Sequence, residues 1–307
     1  MTPTQDDTAL IAGTVTKGTF QIVERLASSE LSVVYLGSHA TNGNLLIIKE
    51  FYPKALALRD TDGRTVVCRK PSNIGRFSEL MEAFAREADL LRQLSHEHIV
   101  DYIDHFEENG TRYLVTGFCP GVTLDCYIRE GRPASLSGLL KNTLLPLVDT
   151  LGYIHSKGML HRDCKPSNII IAEDGKPKLL DFGSAVGCGE LNEHPIFTTK
   201  GFSPLELYSE KSRQGKVSDL FSVSAVIYFC LTGTIPVDVS QRLFKDSLPE
   251  VRAVNKEIGF VLSHMIKWGL AVQRQKRCPS LWLLKAALYL EYVRSKRKET
   301  QKNPTPL

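Results

Sequence analysis

From Thr16 onward apolar positions alternate with polar ones: Phe20 and Ile22, then Val33, Val34, Tyr35 and Leu36, then Leu45-Leu46-Ile47-Ile48. Runs of this kind predict strands. The third ends on Lys49, and an ammonium finishing a buried strand is costly unless an anion meets it. Leu56-Ala57-Leu58-Arg59, the turn Asp60-Thr61-Asp62-Gly63 and Thr65-Val66-Val67-Cys68 read as a further hairpin. The period then changes. Phe77, Leu80, Met81, Phe84, Ala88 and Leu91 recur at helical spacing, predicting a helix of about five turns with Glu87 beside its apolar stripe. Tyr113 to Cys119 reads as a buried strand entering a linker at Pro120-Gly121.

Beyond the linker the chain turns helical. Leu140, Leu144, Leu147, Val148, Leu151 and Ile154 line one face up to the stop at Gly158, with Pro146 kinking it. Phe221, Val223, Val226, Ile227 and Leu231 predict a second, largely buried helix introduced by Asp219, and Phe260 to Leu270 and Leu281 to Val293 complete the set. The pattern is that of an α+β chain, strands and one helix first and helices after the linker.

With 307 residues, 42% of them apolar, there is material for a sizeable core. The net charge of +4 equals the excess carried by Arg294, Lys296, Arg297, Lys298 and Lys302 over Glu299. The body is therefore neutral on balance, and 294–307 reads as a solvated basic polar tail. No nucleic-acid partner is expected. The 7 cysteines are odd in number and contain no Cys-x-x-Cys pair, which points to reduced thiols and away from zinc. Residues 1–15 read as a flexible leader without the pattern of a signal peptide. The most apolar window, Leu220 to Leu231, is shorter than the roughly 20 residues of a membrane span. A cytoplasmic protein with no transmembrane segment is the expectation.

The chemistry is concentrated in His161-Arg162-Asp163-Cys164-Lys165-Pro166-Ser167-Asn168, the run Ile169-Ile170-Ile171, and Asp181-Phe182-Gly183. Two carboxylates, a lysine and an amide around a short strand suit phosphoryl transfer, whose transition state spreads negative charge. On these motifs the chain resembles the eukaryotic-like serine/threonine protein kinases, and Lys49-Glu50-Phe51-Tyr52-Pro53 with the added hairpin looks like their bacterial branch.

The resemblance implies a bilobal protein-kinase-like fold. A small lobe (16–116) of antiparallel sheet plus one major helix would join, by a hinge (117–121), a mostly helical large lobe (122–293), with ATP in the cleft. It makes Asp163 the catalytic base, Lys165 the γ-phosphate lysine that favours Ser/Thr acceptors, and Asn168 and Asp181 the Mg²⁺ ligands. Lys49 would hold the α- and β-phosphates and pair with Glu87. Val34 and Ile47 would cover adenine, Thr116 would be the gatekeeper, and Gly117, Phe118 and Cys119 the hinge. Asp219 would anchor the catalytic loop, Glu206 would pair with Arg277, and Thr199 would contact Asp163 and Lys165. Arg162 would receive a phosphate placed on Thr198 or Ser184.

Two departures stand out. Ala27, Ser29 and Ser32 occupy the three positions of the phosphate loop that are glycine in the family, and Ile47 stands where a small residue is usual. Both lead us to expect weak ATP binding, and they leave a pseudokinase or nucleotide-gated scaffold as the alternative. Gly117 is expected to loosen the hinge, and His96 and His98 are expected to be structural. The implied partners are ATP, protein substrates that include the chain itself, and a paired phosphatase or soluble activator.

Overall fold

The computed structural model of the chain describes residues 8–188, 198–209 and 212–302. Its contacts divide into two compact units. One runs to Ser95 and again from Val100 to Phe118; the other comprises His96–Ile99 and everything from Cys119 on.

In the first unit β1 (Val15–Thr16), β2 (Phe20–Ser28), β3 (Ser32–His39) and β4 (Leu45–Phe51) are followed by β5 (Ala57–Arg59) and β6 (Val66–Cys68). Helix α1 (Ile74–Arg92), β7 (Tyr102–Glu108) and β8 (Thr111–Gly117) complete it. Six strands make one antiparallel sheet in the order β1-β2-β3-β4-β8-β7, and β5 and β6 form a separate ladder. Directly paired residues share a face. Val34 therefore lies with Lys49, and Ile47 with Thr116, on one side, while Tyr35, Glu50 and Tyr113 lie on the other.

Helix α1 buries Phe77, Leu80, Phe84, Glu87, Ala88 and Leu91. Phe77 and Phe84 meet Phe51 of β4, with ring centroids 5.4 and 5.7 Å apart. Each such buried ring stabilises the unit by about 1.5–3 kcal/mol relative to exposure.

The opposite face is closed by the added hairpin and the N-terminal segment. Glu50 has no exposed surface. Arg59 donates from Nη1 to its Oε1 and from Nη2 to its Oε2, each at 2.8 Å, and the hydroxyls of Tyr35 and Tyr113 donate to it at 2.7 and 3.0 Å. Val66 N–H donates to Asn109 O at 2.8 Å, docking the hairpin on the β7–β8 turn. That approach requires Gly110, at φ +68, because a Cβ there would lie 2.6 Å from Val66 O.

Over its described part, from Thr8 to Val15, the expected flexible leader 1–15 is instead fixed to the sheet. From Thr8 on the chain is held: Arg59 donates to Thr8 O, Leu10 is buried with its N–H on the Tyr35 hydroxyl, and Gly13 N–H bonds Ile22 O. A sheet face carrying a charged network has to be covered, and this segment supplies part of the cover.

In the second unit, His98 donates from Nδ1 to Pro177 O at 3.0 Å, and His98 O accepts Leu179 N–H at 2.9 Å. The His-x-His pair is structural, and no group of three metal-ligating side chains occurs among the described residues. After β9 (Val122–Thr123), α2 (Leu124–Arg129) and α3 (Leu136–Gly138), a π-helical stretch over Leu139–Leu144 leads into α4 (Leu145–Ser156). Pro146 is thus no kink inside an α-helix: it is the second residue of α4, and the wider turn ahead of it absorbs the missing N–H.

Strands β10 (Met159–Leu160), β11 (Ile169–Ile171), β12 (Pro177–Leu179) and β13 (Val186–Gly187) follow. β10 pairs with β13, and β11 lies between β9 and β12. Helix α5 (Lys216–Thr232) begins before Asp219 and is buried all round from Ser218 to Leu231. Helices α6 (Val251–Val254), α7 (Phe260–Gly269) and α8 (Leu281–Lys302) close the unit.

As far as Lys302 the basic segment after Val293 is a continuation of α8, with Lys296, Arg297 and Lys298 exposed on it. Ser295 is buried, Arg294 bonds Glu291 and the Glu257 carbonyl, and Ser137 donates its N–H and hydroxyl to Glu299. Two carboxylates on one helix face dock a stretch whose composition reads as solvent-facing.

Candidate active site

Lys49 and Glu87 meet within the first unit. Nζ lies 2.8 Å from Oε1 and 2.9 Å from Oε2, with Glu87 buried and Lys49 half-buried. On the same sheet face Val34 and Ile47 are half-buried and Thr116 is buried. Gly117 is part of the sheet. It ends β8 opposite Leu46 and donates its N–H to Asp101 O at 2.8 Å. The glycine whose backbone is demanded is Gly121 of the second unit, at φ +155, where a Cβ would fall 2.3 Å from Ile171 O. Phe118 is exposed, Cys119 half-buried, and the units divide between them.

The turn from β2 to β3 carries Ala27 and Ser29 exposed and Ser32 buried. Among the described residues the non-glycine positions with positive φ are Lys17, Asn109 and Arg162. The turn is therefore made without left-handed backbone, and Ala27, Ser29 and Ser32 cost it no strain.

The second unit gathers Asp163, Lys165, Asn168 and Thr199. Lys165 Nζ lies 2.7 Å from Asp163 Oδ2, and the Thr199 hydroxyl donates to Oδ1 at 3.2 Å. Lys165 also donates to the Thr199 hydroxyl at 3.4 Å. Asn168 Nδ2 donates at 3.0 Å to both the carbonyl oxygen and Oδ2 of Asp163, which leaves the amide oxygen as the donor a cation can use. The β11–β12 hairpin and the bond from Leu180 N–H to Asn168 O bring Asp181 to the same end of the ladder, and Gly183 N–H donates to its Oδ1 at 3.0 Å.

Holding this loop takes a buried carboxylate. Asp219 accepts the N–H of His161 at 2.9 Å, the N–H of Arg162 at 2.8 Å and His155 Nε2–H at 2.7 Å. Burial pushes Asp219 up, but the His155 hydrogen bond and charge and the bond from His161 N–H outweigh it and hold the carboxyl below its ordinary value. The anchor is needed because Arg162 sits at φ 65, a conformation costing about 1–3 kcal/mol for a residue with a side chain. His161, fully buried against Phe182 with ring centroids 5.0 Å apart, is pushed below its ordinary value by burial and stays neutral. Its Nδ1 accepts Asp163 N–H at 3.3 Å.

Glu206 is clamped by Arg277, whose Nη2 donates to Oε2 at 2.9 Å and Nη1 to Oε1 at 2.5 Å, with Phe221 under the guanidinium at 4.9 Å. The segment from Thr199 to Tyr208 is tied down by Asp238, whose Oδ2 accepts Gly201 N–H at 3.0 Å and the Tyr208 hydroxyl at 2.8 Å.

A model described as the protein kinase domain matches residues 20–285. The chain belongs to the protein kinase family. Among its relatives are a probable serine/threonine-protein kinase PknB of Lactococcus lactis, 29% identical over 60% of this chain and 30% of that protein, and the serine/threonine-protein kinase Pkn1 of Myxococcus xanthus, 26% identical over 92% of this chain and 40% of that one. Serine/threonine-protein kinase D of Synechocystis is 31% identical over 72% of this chain and 45% of its own. The kinase chain thus spans less than half the length of these curated relatives. A solved structure titled PpkA-294 apo form superposes with a TM-score of 0.79 at 28% identity, covering 92% of this chain and 99% of that one. The fold is the protein-kinase fold.

Arg162 of this kinase is not an open phosphate receptor. It is 2% exposed, its Nε donates to Ser184 O at 2.6 Å and its Nη1 to Gln214 Oε1 at 3.0 Å. Ser184 is itself buried, which removes it as an accessible acceptor, whereas Thr198 is exposed. Gln214, His155, Asp238, Glu50 and Arg59 all escaped the sequence reading. For His155 there was a signal, a histidine at the end of an apolar helix face. Gln214 and Asp238 have partners distant in sequence, and Glu50 and Arg59, nine residues apart, are joined across the link from β4 to β5.

Proposed function

We propose that this chain is a protein kinase that transfers the γ-phosphate of ATP to Ser/Thr hydroxyls of proteins, itself included, and that it works in the cytoplasm. The observation that carries the reading is the convergence of Asp163, Lys165, Asn168 and Thr199 within hydrogen-bonding distance. Asp163 accepts or orients the proton of the acceptor hydroxyl. Lys165 supplies a cation beside the group whose charge grows. Thr199 fixes the rotamer of Asp163, and Lys49, steadied by Glu87, holds the nucleotide phosphates.

Asn168 and Asp181 offer hard oxygen donors of the kind Mg²⁺ takes, and the Asn168 amide is already turned with its nitrogen toward Asp163. When bound, Mg²⁺ supplies neutralising charge to the phosphate oxygens. The cytoplasmic placing is supported by the thiols of Cys68, Cys119, Cys126, Cys164, Cys188, Cys230 and Cys278, all free. Among the described residues no helix is long and apolar enough to cross a membrane.

The test is transfer from labelled Mg-ATP to a generic basic protein and to the chain itself, beside Asp163→Asn, followed by phosphoamino-acid analysis. Label on Ser/Thr that disappears in the variant supports the reading. ATP bound at saturation without any transfer would replace it with the nucleotide-gated scaffold.

A further inference from the structure

The turn between β2 and β3 is closed by one of its own side chains. Ser29 N–H donates to Ser32 O at 2.8 Å, and the Ser29 hydroxyl oxygen accepts the N–H groups of Leu31 at 3.2 Å and Ser32 at 3.0 Å. The Ser29 and Ser32 hydroxyls lie 3.0 Å apart. The carbonyls are engaged too: Leu31 O accepts Tyr52 N–H at 2.8 Å and Glu30 O accepts Lys54 N–H at 3.0 Å. Glu30, exposed at the tip, adds a negative charge.

A turn that cradles a polyphosphate does so by offering backbone N–H groups to anionic oxygens. Glycine favours this because it lets the backbone come close and places no competing acceptor beside its neighbours. Here the serine hydroxyl is that competing acceptor. Two of the three N–H groups following Ser29 are already satisfied inside the protein, and a phosphate has to displace the hydroxyl to reach them. The lack of left-handed backbone in this turn means the serine is free to hold its geometry without strain.

We propose that Ser29 sets the nucleotide affinity of this kinase by occupying the Leu31 and Ser32 amides, so that ATP is held through Lys49 with little help from the turn. The inference rests on the kinase reading above. It makes an unusual demand: removing a polar side chain from the phosphate loop should tighten binding.

The test compares the full chain with Ser29→Ala, which deletes the hydroxyl without adding glycine's flexibility, and with Ser29→Thr, which keeps it. Hydrogen exchange at the Leu31 and Ser32 amides is expected to be protected in wild type and Ser29→Thr and released in Ser29→Ala. Calorimetry is expected to show Mg-ATP and Mg-ADP binding about three- to tenfold tighter to Ser29→Ala, with adenosine, which lacks phosphates, unchanged. Amides that exchange freely in wild type, or Mg-ATP affinity that does not rise once they are released, would overturn the proposal. A parallel gain for adenosine would also sink it, by moving the effect to the base. Released amides with no Mg-ATP binding by any of the three proteins would overturn the kinase reading, and the inference with it.

Discussion

Lys49 reaches both oxygens of Glu87, at 2.8 and 2.9 Å, across 38 residues of sequence. The pair is made inside the first unit, between β4 and α1. Glu87→Gln keeps a hydrogen-bond acceptor for the ammonium while removing the charge. We expect the folded protein to persist with transfer activity lowered by about 10–100-fold, whereas Lys49→Met should lose about 100–1,000-fold. Both are checked by initial rates at saturating Mg-ATP, beside thermal melts that confirm folding. Equal activity in Glu87→Gln and wild type would reduce the pair to a packing feature.

On the other face of β4, one residue along, Glu50 and Arg59 form a buried pair in which each carboxylate oxygen also accepts a tyrosine hydroxyl. Burial would lower the Arg59 pKa, but the Glu50 hydrogen bonds and charge outweigh it and hold the guanidinium protonated. Arg59→Met strands a carboxylate with no exposed surface and should cost about 3–5 kcal/mol, while Glu50→Gln with Arg59→Met should cost substantially less than either single change implies. Urea unfolding of the four proteins measures this. Additive losses would mean the two residues act separately.

Much of this was legible in the sequence because it rests on local order. The strand period placed Lys49, the helix period placed Glu87 beside the stripe of α1, and the run from His161 to Gly183 carries its chemistry in contiguous residues. What was not legible depends on coverage and distant closure. Residues 8–15 read as a leader because Thr8 and Leu10 are fixed by Arg59 and Tyr35, partners that no local pattern announces. Arg294 to Lys302 reads as a tail because its docking is done by Glu291 and Glu299, two carboxylates in a basic stretch. The π-helical turn before Pro146 and the positive φ of Arg162 are conformations that tertiary packing imposes against local preference.

Asp238 fastens the chain on both sides of Glu206, through Gly201 N–H and the Tyr208 hydroxyl. It touches neither Asp163 nor Lys165, so its effect should appear in protein-substrate engagement. Asp238→Ala is expected to raise KM for a protein substrate about three- to tenfold, from the loss of hydrogen bonds to a charged acceptor at a partly exposed site, and to leave KM for ATP unchanged. Steady-state kinetics with each substrate varied in turn will separate the two. A rise in both constants would place the damage in general folding.

Three buried groups set the acid limit of the kinase. Burial raises Glu206, but the Arg277 hydrogen bonds and charge outweigh it, and the carboxyl lies below its ordinary 4.5; Asp219 lies below 3.8 for the parallel reasons given above. A carboxyl depressed in the fold stabilises it above the ordinary value and loses that contribution as pH falls through the depressed one. His161, pushed below 6.5 by burial, is neutral in the fold and protonated sooner in the unfolded chain, so it too stabilises above 6.5 and loses ground as pH falls. Stability should therefore begin to decline just under pH 6.5, from His161, steepen below 4.5, when Glu206 joins, and again below 3.8, when Asp219 does. Urea midpoints from about pH 7.5 to 3 test the profile. His161→Phe, which keeps the ring against Phe182, should flatten the first part of the slope and leave the second. A first decline that survives in His161→Phe would assign it to another histidine and remove the neutral His161 from the account.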